Sequence, residues 1–186
     1  MKNLKDWMDH HTDVSACEPR QIDEGGKIAP TGSLLNTWWI DMLELTKLSF
    51  LFGSVGRIGK LGQIVEAKEF RQKHQDRKGN WQTEVVSGAA LFARTDMVKK
   101  IGGFNEKLKL YYTDTDLCRK ILQKGGKIWH IGEYFLGHSL SAATSQLSWK
   151  ERSRIYANDA RMYYRLTEQP VGAFLLYIAM RISALL

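Results

Sequence analysis

The feature that most constrains the fold is a helical pattern that ends at two glycines and leads directly into an apolar segment. Residues 113–123 place Leu117 and Ile121 four positions apart, so both lie on one side of a helix. The glycines at 125–126 are typical of a helix end. Residues 127–136 then have the pattern of a buried strand. This sequence of elements predicts the α/β class, with a mixed sheet flanked by helices.

The start of the chain has the same alternation of helix and strand. Leu4, Trp7 and Met8 recur at helical spacing, and residues 13–17 predict a short buried strand that ends at Pro19. We therefore expect the chain to open as a helix followed by a strand.

Turn and cap chemistry predicts further short elements. Residues 23–27 contain two glycines and predict a turn that leads into the returning edge of a small hairpin. Residues 84–93 predict a buried strand, in which Gly88 indicates a bulge or a close approach by a ligand or by backbone. Thr95 or Asp96 is expected to cap a short helix that ends at the next pair of glycines.

The C-terminal part of the sequence is helical and then apolar. Residues 148–168 predict an amphipathic helix, which Pro170 ends. A membrane-spanning helix needs about 20 apolar residues, more than this tail supplies. We expect the tail either to lie in a membrane interface as an amphipathic helix or to begin a longer hydrophobic segment. Residues 171–186 are apolar apart from Tyr177, Arg181 and Ser183.

The segment 31–80 leaves more than one interpretation open. An apolar run over residues 34–52 precedes a glycine-containing and then a basic stretch. Three interpretations stay open: a variable insertion, a membrane-facing flap, or an ordinary amphipathic helix packed on the domain. The expected organisation is one domain over residues 1–169 and a membrane-proximal tail over residues 170–186.

Charge and cysteine content limit the classes of function. The formal net charge is +7, and residues 57–127 hold 16 Lys and Arg against 8 Asp and Glu. Such an excess suits anionic lipid, a phosphorylated substrate or nucleic acid. We exclude nucleic acid from the expected partners because the basic cluster at residues 71–78 lacks interleaved aromatic residues. Cys17 and Cys118 have no metal-ligand spacing, which favours a reduced, cytoplasmic setting.

Two carboxylates at the start of the helix over residues 113–123 are candidates for chemistry. Asp114 and Asp116 are two residues apart and so cannot share one helical face. Thr113 as N-cap with Asp116 three residues later is close to a capping box, and this structural role and a functional one both stay open for Asp116. A carboxylate at position 114 can project off the helix end into a cleft, so Asp114 is the better candidate for a general base.

Four motifs stand in a definite order along the chain. They are VSGAAL at 86–91, IGGFNE at 101–106, YTDTDL at 112–117 and the later His138. This series resembles the acceptor half of family 2 glycosyltransferases, in particular the rhamnosyltransferase-like members. The resemblance covers residues 81–166 well and residues 1–30 weakly. Each motif alone is weak, whereas four in the family's order are fairly specific.

The resemblance implies a partial GT-A fold and an inverting transfer of a sugar from a nucleotide-diphosphate donor to a hydroxyl of a glycan or lipid-linked acceptor. Asp114 would take the proton of the acceptor, and Ser87, Gly88 and Asp116 would contact the acceptor. His138 would lie by a divalent metal, Mg²⁺ or Mn²⁺, although a lone histidine after a strand also fits a structural role. The implied setting is cell-surface polysaccharide synthesis on the cytoplasmic side, with a peripheral location at the inner membrane face.

The sequence departs from the family pattern in three places. Asn105 and Thr113 replace acids of the family motifs, and no D-x-D metal motif precedes them in a suitable place. We therefore expect the donor-binding half to be absent, as in a fragment or a split gene, and the chain alone to bind donor poorly. The alternative is a non-catalytic membrane-associated assembly module that uses the basic middle and the apolar tail.

Overall fold

The computed structural model of the chain describes residues 2–29, 31–35, 37–39, 41, 70, 78–138, 146–167 and 169–183. Within them the fold is mixed α/β. The helices are α1 (Lys2–His10), α2 (Thr95–Lys100), α3 (Thr113–Gln123), α4 (Trp149–Leu166) and α5 (Pro170–Ser183). The strands are β1 (Val14–Ile22), β2 (Asn80–Thr83), β3 (Phe92–Ala93) and β4 (Lys127–Gly137), and a 3₁₀ turn covers Gly88–Ala90.

The four strands form one mixed sheet in the order β2-β4-β1-β3. The central strands β1 and β4 are parallel, whereas β2 and β3 pair antiparallel at the two edges. The predicted α/β class with a mixed sheet flanked by helices is therefore confirmed. Parallel strands cannot be joined by a tight turn, and the long connection from β1 to β4 contains β2, the 3₁₀ turn, β3, α2 and α3.

The chain divides into two compact units. The first unit contains residues 1–35, 70–105 and 114–140, and the second contains residues 36–69, 106–113 and 141–186. The predicted boundary between residues 169 and 170 falls inside the second unit, between α4 and α5. Most of the segment 31–80, which was predicted as an insertion or flap, lies outside the described residues.

Helices cover both faces of the sheet in the first unit. Adjacent residues of a strand point to opposite faces. Ala16 belongs to the cluster that contains Leu117 and Ile121 of α3, and Cys17 belongs to the cluster that contains Leu4 and Met8 of α1. The helical spacing of these apolar residues in the sequence therefore predicted the two buried faces correctly.

The prediction that the first strand ends at Pro19 is wrong, because β1 continues to Ile22. Proline has no backbone N–H, so it disrupts a strand that is paired on both sides. Here β3 pairs only with Ala16 and Cys17, and the antiparallel bridge to Ile28 forms only at Ile22, so β4 is the strand beside Pro19 in the described part of the chain. The register between β1 and β4 also shifts directly after Pro19. The proline is thus tolerated at a position where β1 is paired with a neighbouring strand on one side only.

The prediction of a strand over residues 84–93 is also largely wrong. Only Phe92–Ala93 is a strand, and Gly88 opens the 3₁₀ turn. Ser87 is the N-cap of this turn, and its hydroxyl accepts a hydrogen bond from the N–H of Ala89 at 3.4 Å. The run of small and apolar residues resembles a buried strand, whereas the cap chemistry of Ser87 and the freedom of Gly88 favour a turn.

Several helix and turn predictions are confirmed. Helix α3 has the predicted bounds, and β4 extends the predicted strand by one residue to Gly137. Helix α4 begins after Ser148, which forms a capping box with Glu151. The short hairpin after β1 forms as well, because the carboxylate of Asp23 accepts the N–H groups of Gly25 and Lys27 at 2.9 and 2.8 Å.

In the second unit, α4 and α5 pack against each other. Ala160 and Tyr164 of α4 form a buried cluster with Ala173 and Leu176 of α5. Helix α4 ends at Leu166, two residues before the predicted end at 168, and Pro170 begins α5, in agreement with the preference of proline for the first turn of a helix. Within the described ranges, no helix is both long enough and apolar enough to cross a membrane.

Candidate active site

The candidate site is formed by the Ser87–Gly88 turn and by Asp114 and Thr115 at the start of α3, all in the first unit. The N–H of Gly88 donates to Oδ2 of Asp114 at 3.0 Å. The N–H of Thr115 donates to Oδ1 of the same carboxylate at 2.8 Å. The structure therefore brings together three of the predicted site residues, Ser87, Gly88 and Asp114, which are up to 27 positions apart in the sequence.

The backbone at Gly88 lies close to the side chain of Asp114. A Cβ atom added at Gly88 would lie 3.4 Å from Cβ and 3.6 Å from Oδ2 of Asp114. The first of these distances is at the lower end of ordinary van der Waals contact. A larger side chain at this position would push the carboxylate away from the turn.

The carboxylate of Asp114 retains capacity for a further hydrogen bond. An ionised carboxylate has about four acceptor positions, and the two backbone N–H groups occupy two of them. Asp114 is partly exposed, and Gly88 beside it is exposed. The group is thus held in one orientation while it can still accept a proton from a hydroxyl group in solution.

Asp116 has a different environment from Asp114. Its side chain is fully buried and lies 2.6 Å from the guanidinium of Arg119 and 3.0 Å from the ammonium of Lys120. It therefore serves as the common partner of two cations on its own helix and is not part of the Gly88–Asp114 contact. Thr113 was considered as the N-cap of α3. The helix begins at Thr113, so Thr113 is its first residue and not its N-cap.

His138 lies directly after β4, and its backbone N–H donates to the carbonyl of Ile22 at 2.9 Å. No contact among the described residues joins its ring to Ser87, Gly88 or Asp114. In the described part of the chain, no group of three or more His, Cys, Asp or Glu side chains could hold a metal ion. His138 alone is one candidate ligand, so the described residues do not by themselves fit the implied Mg²⁺ or Mn²⁺.

A buried acid next to the site was missed by the sequence reasoning. Glu18 in β1 is fully buried, and its Oε2 accepts the N–H of Ser87 at 2.7 Å. Nδ1 of His130 lies 3.2 Å from its other oxygen, Oε1. The available signal was a charged residue directly after the predicted buried strand, residues 13–17, since an acid that becomes buried there needs a partner.

A second buried acid, Asp159 on α4, was missed as well. In the second unit its carboxylate accepts the consecutive N–H groups of Lys109, Leu110 and Tyr111 at 3.2, 2.9 and 2.9 Å. Its position on an otherwise apolar face of α4 was the available signal. This carboxylate fixes the backbone that precedes Tyr112, which has the positive φ of 60°.

The second unit also contains a buried tyrosine cluster around Asp41. The hydroxyl of Tyr112 donates to Oδ2 of Asp41 at 2.7 Å, and the hydroxyl of Tyr164 donates to the same oxygen. Burial and the neighbouring carboxylate raise the pKa of both tyrosines well above its ordinary value. Both hydroxyls therefore stay protonated and act as donors to Asp41.

A cavity of about 650 Å³ lies in the first unit beside the 3₁₀ turn. Gly88 lies on its wall, so the cavity adjoins the residue that holds Asp114. The lining is mostly apolar and includes Leu4, Pro19, Phe92 and Phe135. The cavity is large enough for part of a small-molecule ligand.

The two cysteines are poor candidates for catalysis. Burial raises the pKa of Cys17 and of Cys118 to about 12. The thiolate is the nucleophilic form, so at pH 8 only roughly one thiol in 10⁴ is reactive, and this fraction rises as the pH approaches 12.

We predict that neither thiol reacts with an aromatic disulfide reagent at pH 8 in the native chain and that both react in urea. Rapid labelling of the native chain would contradict this burial.

Comparison of the chain with protein-family models and with curated proteins found no match. The resemblance to family 2 glycosyltransferases therefore rests on the ordered motifs at residues 86–91, 101–106 and 112–117 and on His138.

Proposed function

We propose that this chain is the acceptor-side part of an inverting, family 2-like glycosyltransferase of partial GT-A fold, in which Asp114 is the general base. The observation that carries the proposal is the contact between Asp114 and the N–H of Gly88. It joins the two motifs that the resemblance assigns to the acceptor, VSGAAL and YTDTDL. Residues brought into contact from separate motifs support a shared role better than either motif alone.

The proposed reaction is a single displacement. The acceptor hydroxyl gives its proton to the carboxylate of Asp114 while its oxygen forms a bond to the anomeric carbon of the sugar. The bond from that carbon to the nucleotide diphosphate breaks, and the diphosphate leaves with the electron pair. Attack from the side opposite the leaving group inverts the anomeric configuration. General-base assistance of this kind contributes about 10²- to 10⁴-fold to the rate.

The acceptor would approach Asp114 from the side of the Ser87–Gly88 turn. The cavity next to Gly88 has room for the part of the acceptor that does not react. Donor binding requires residues beyond those that contact the acceptor, and we propose that a donor-binding half or a split-gene partner supplies them together with the remaining metal ligands. Asp116 is given no acceptor contact in this proposal because its carboxylate is buried between Arg119 and Lys120.

The proposal is tested by transfer in the reconstituted protein. The chain is combined with the product of the coding sequence directly upstream, and release of nucleotide diphosphate from a panel of sugar nucleotides is measured with candidate acceptors. We expect release that depends on both parts and a product of inverted anomeric configuration. A product of retained configuration would argue against a single displacement with Asp114 as base.

One observation favours a second candidate function, that of a membrane-associated assembly module. Among the described side chains of α5, four exposed apolar residues have the spacing of one helical face, opposite the side that packs in the buried cluster. The guanidinium of Arg161 lies 5.0 Å from the ring centroid of Tyr177, at the border of this face. An apolar face bordered by a cation suits anionic lipid headgroups. The exposed fractions are 70% for Val171, 57% for Phe174, 45% for Leu175 and 40% for Ile178.

We predict that the double change Phe174→Glu and Leu175→Glu weakens binding to phosphatidylglycerol vesicles by more than about tenfold, because each apolar side chain contributes about 1.5 to 3 kcal/mol when buried. Vesicle co-sedimentation at two salt concentrations measures this. Changing Gln82 and Thr95 of the first unit to Glu adds the same charge and serves as the control. Equal binding by the α5 variant and the control would remove α5 as the membrane-contacting surface.

A further inference from the structure

Glu18 is a fully buried acid that the proposed chemistry does not use. We propose that Glu18 is a positioning residue that holds the Ser87–Gly88 turn and, through this turn, the orientation of Asp114. This inference rests on the proposed function of Asp114 as the base. Glu18 cannot itself touch a substrate, because none of its surface is accessible.

Two consecutive backbone N–H groups connect Glu18 to Asp114. The N–H of Ser87 donates to Oε2 of Glu18 at 2.7 Å, and the next N–H, that of Gly88, donates to Oδ2 of Asp114 at 3.0 Å. These two N–H groups belong to consecutive peptide units that meet at Cα of Ser87, and each is held by a carboxylate. If the N–H of Ser87 loses its acceptor, its peptide unit can rotate, and the next unit, which carries the N–H of Gly88, moves with it.

Glu18 is itself held in place by its surroundings. Nδ1 of His130 lies 3.2 Å from Oε1, and the amide of Gln21 lies 3.4 Å from Oε2. The ring of Trp81 stacks on His130 with 4.0 Å between centroids. Gly32 closes the remaining side, since a Cβ atom there would lie 3.4 Å from Oε1 of Glu18.

A purely structural need does not explain an acid at this position. An apolar side chain of similar volume usually stabilises a core at least as well as a buried charged pair does. What an apolar side chain lacks is an acceptor for the N–H of Ser87, which is outside every helix and strand. The specific gain from Glu18 is thus the fixed conformation of the turn that contacts Asp114.

The first measurement is backbone amide hydrogen exchange of the chain, resolved by residue with NMR. In Glu18→Gln we expect the amides of Ser87 and Gly88 to exchange about ten to a hundred times faster, because a neutral acceptor replaces a charged one. Glu84→Gln is the matched control, since Glu84 accepts the N–H of Leu35 at the same distance, 2.7 Å. It should accelerate exchange of Leu35 and leave Ser87 and Gly88 unchanged.

Unchanged exchange of Ser87 and Gly88 in folded Glu18→Gln would overturn the inference. If this variant does not fold, the native chain gives the answer: the Ser87 amide should be protected although it lies outside the helices and strands. Exchange of that amide at the rate of an unstructured peptide would likewise overturn it.

The second measurement separates this inference from the proposed function. In the reconstituted transferase, Glu18→Gln should lower kcat about tenfold or more with the acceptor KM within about threefold of the native value, as expected for a change in the base alone. An unchanged kcat together with loss of transfer in Asp114→Asn would leave Asp114 as base and overturn the role of Glu18. Full transfer by Asp114→Asn would instead overturn the proposed function, whatever the exchange of Ser87 shows.

Discussion

Replacement of Asp114 by asparagine is expected to lower sugar transfer by about 10²- to 10⁴-fold in the reconstituted enzyme, the usual contribution of a general base. The amide has the shape of the carboxylate, and its oxygen can still accept the N–H of Gly88, so the fold should persist. It cannot take up the acceptor proton. The measurement is the initial rate of nucleotide-diphosphate release at saturating donor and acceptor.

The matched control for this variant is Asp96→Asn. Asp96 is an exposed aspartate in the first turn of α2, so it has the same chemical type and a similar helical position. Its rate should stay within about twofold of the native rate, since exposed changes away from a site have small effects. Equal rates for the Asp114 variant and the control would contradict the assignment of Asp114 as base.

Replacement of Asp159 by alanine is expected to lower the free energy of unfolding of the second unit by about 3 to 5 kcal/mol. The carboxylate is buried and accepts three backbone N–H groups, those of residues 109–111. Without it, three donors lose their acceptor together. Urea unfolding followed by circular dichroism, with amide exchange of residues 109–111, measures the effect.

The variant Asp159→Asn shows how much of the stability comes from the charge of the carboxylate and how much from its role as a hydrogen-bond acceptor. Oδ2 accepts the N–H groups of Leu110 and Tyr111, so an asparagine that places its oxygen there keeps both bonds without the charge. We expect it to lose roughly half as much stability as the alanine variant, because neutral hydrogen bonds are about half as strong as charge-assisted ones. Equal losses for the two variants would mean that the acceptor role is not what makes Asp159 important.

The parts of the fold that the sequence predicted are those that depend on local periodicity. Helix α3 has the predicted bounds because Leu117 and Ile121 share one face and a glycine with φ of 78°, Gly125, follows its last turn. Glycine tolerates this conformation without strain, so the end of the helix is readable from the residue type. Strand β4 follows at once and was predicted for the same local reason.

The predictions that failed depended on neighbours that are distant in the chain. Whether β1 continues through Pro19 depends on how far β3 extends beside it, which the residues around Pro19 do not specify. Residues 84–93 are apolar or small apart from Glu84 and Ser87, and such a run lacks the strict alternation of polar and apolar residues that indicates a strand.

The residues of the candidate site were predictable in part, whereas their contacts were not, because these contacts also join residues that are distant in the chain. Asp114 and Gly88 were found from their motifs, but the contact between them joins residues 26 positions apart. Glu18 contacts Ser87 across 69 positions, and Asp159 contacts Leu110 across 49. The two carboxylates of the YTDTDL motif also look alike in sequence. Only the helix geometry reveals that Asp116 is buried against Arg119 and Lys120 whereas Asp114 is partly exposed.

The most direct test of the central claim, that this chain is the acceptor-side part of a glycosyltransferase, is calorimetric titration with nucleotide diphosphates in the presence of Mn²⁺ or Mg²⁺. The titration is performed on the chain alone and on the chain combined with the product of the upstream coding sequence, with that product alone as the control. We expect weak or no binding by the chain alone and clear binding by the combination. Absence of binding in both preparations would contradict it and favour the membrane-associated module.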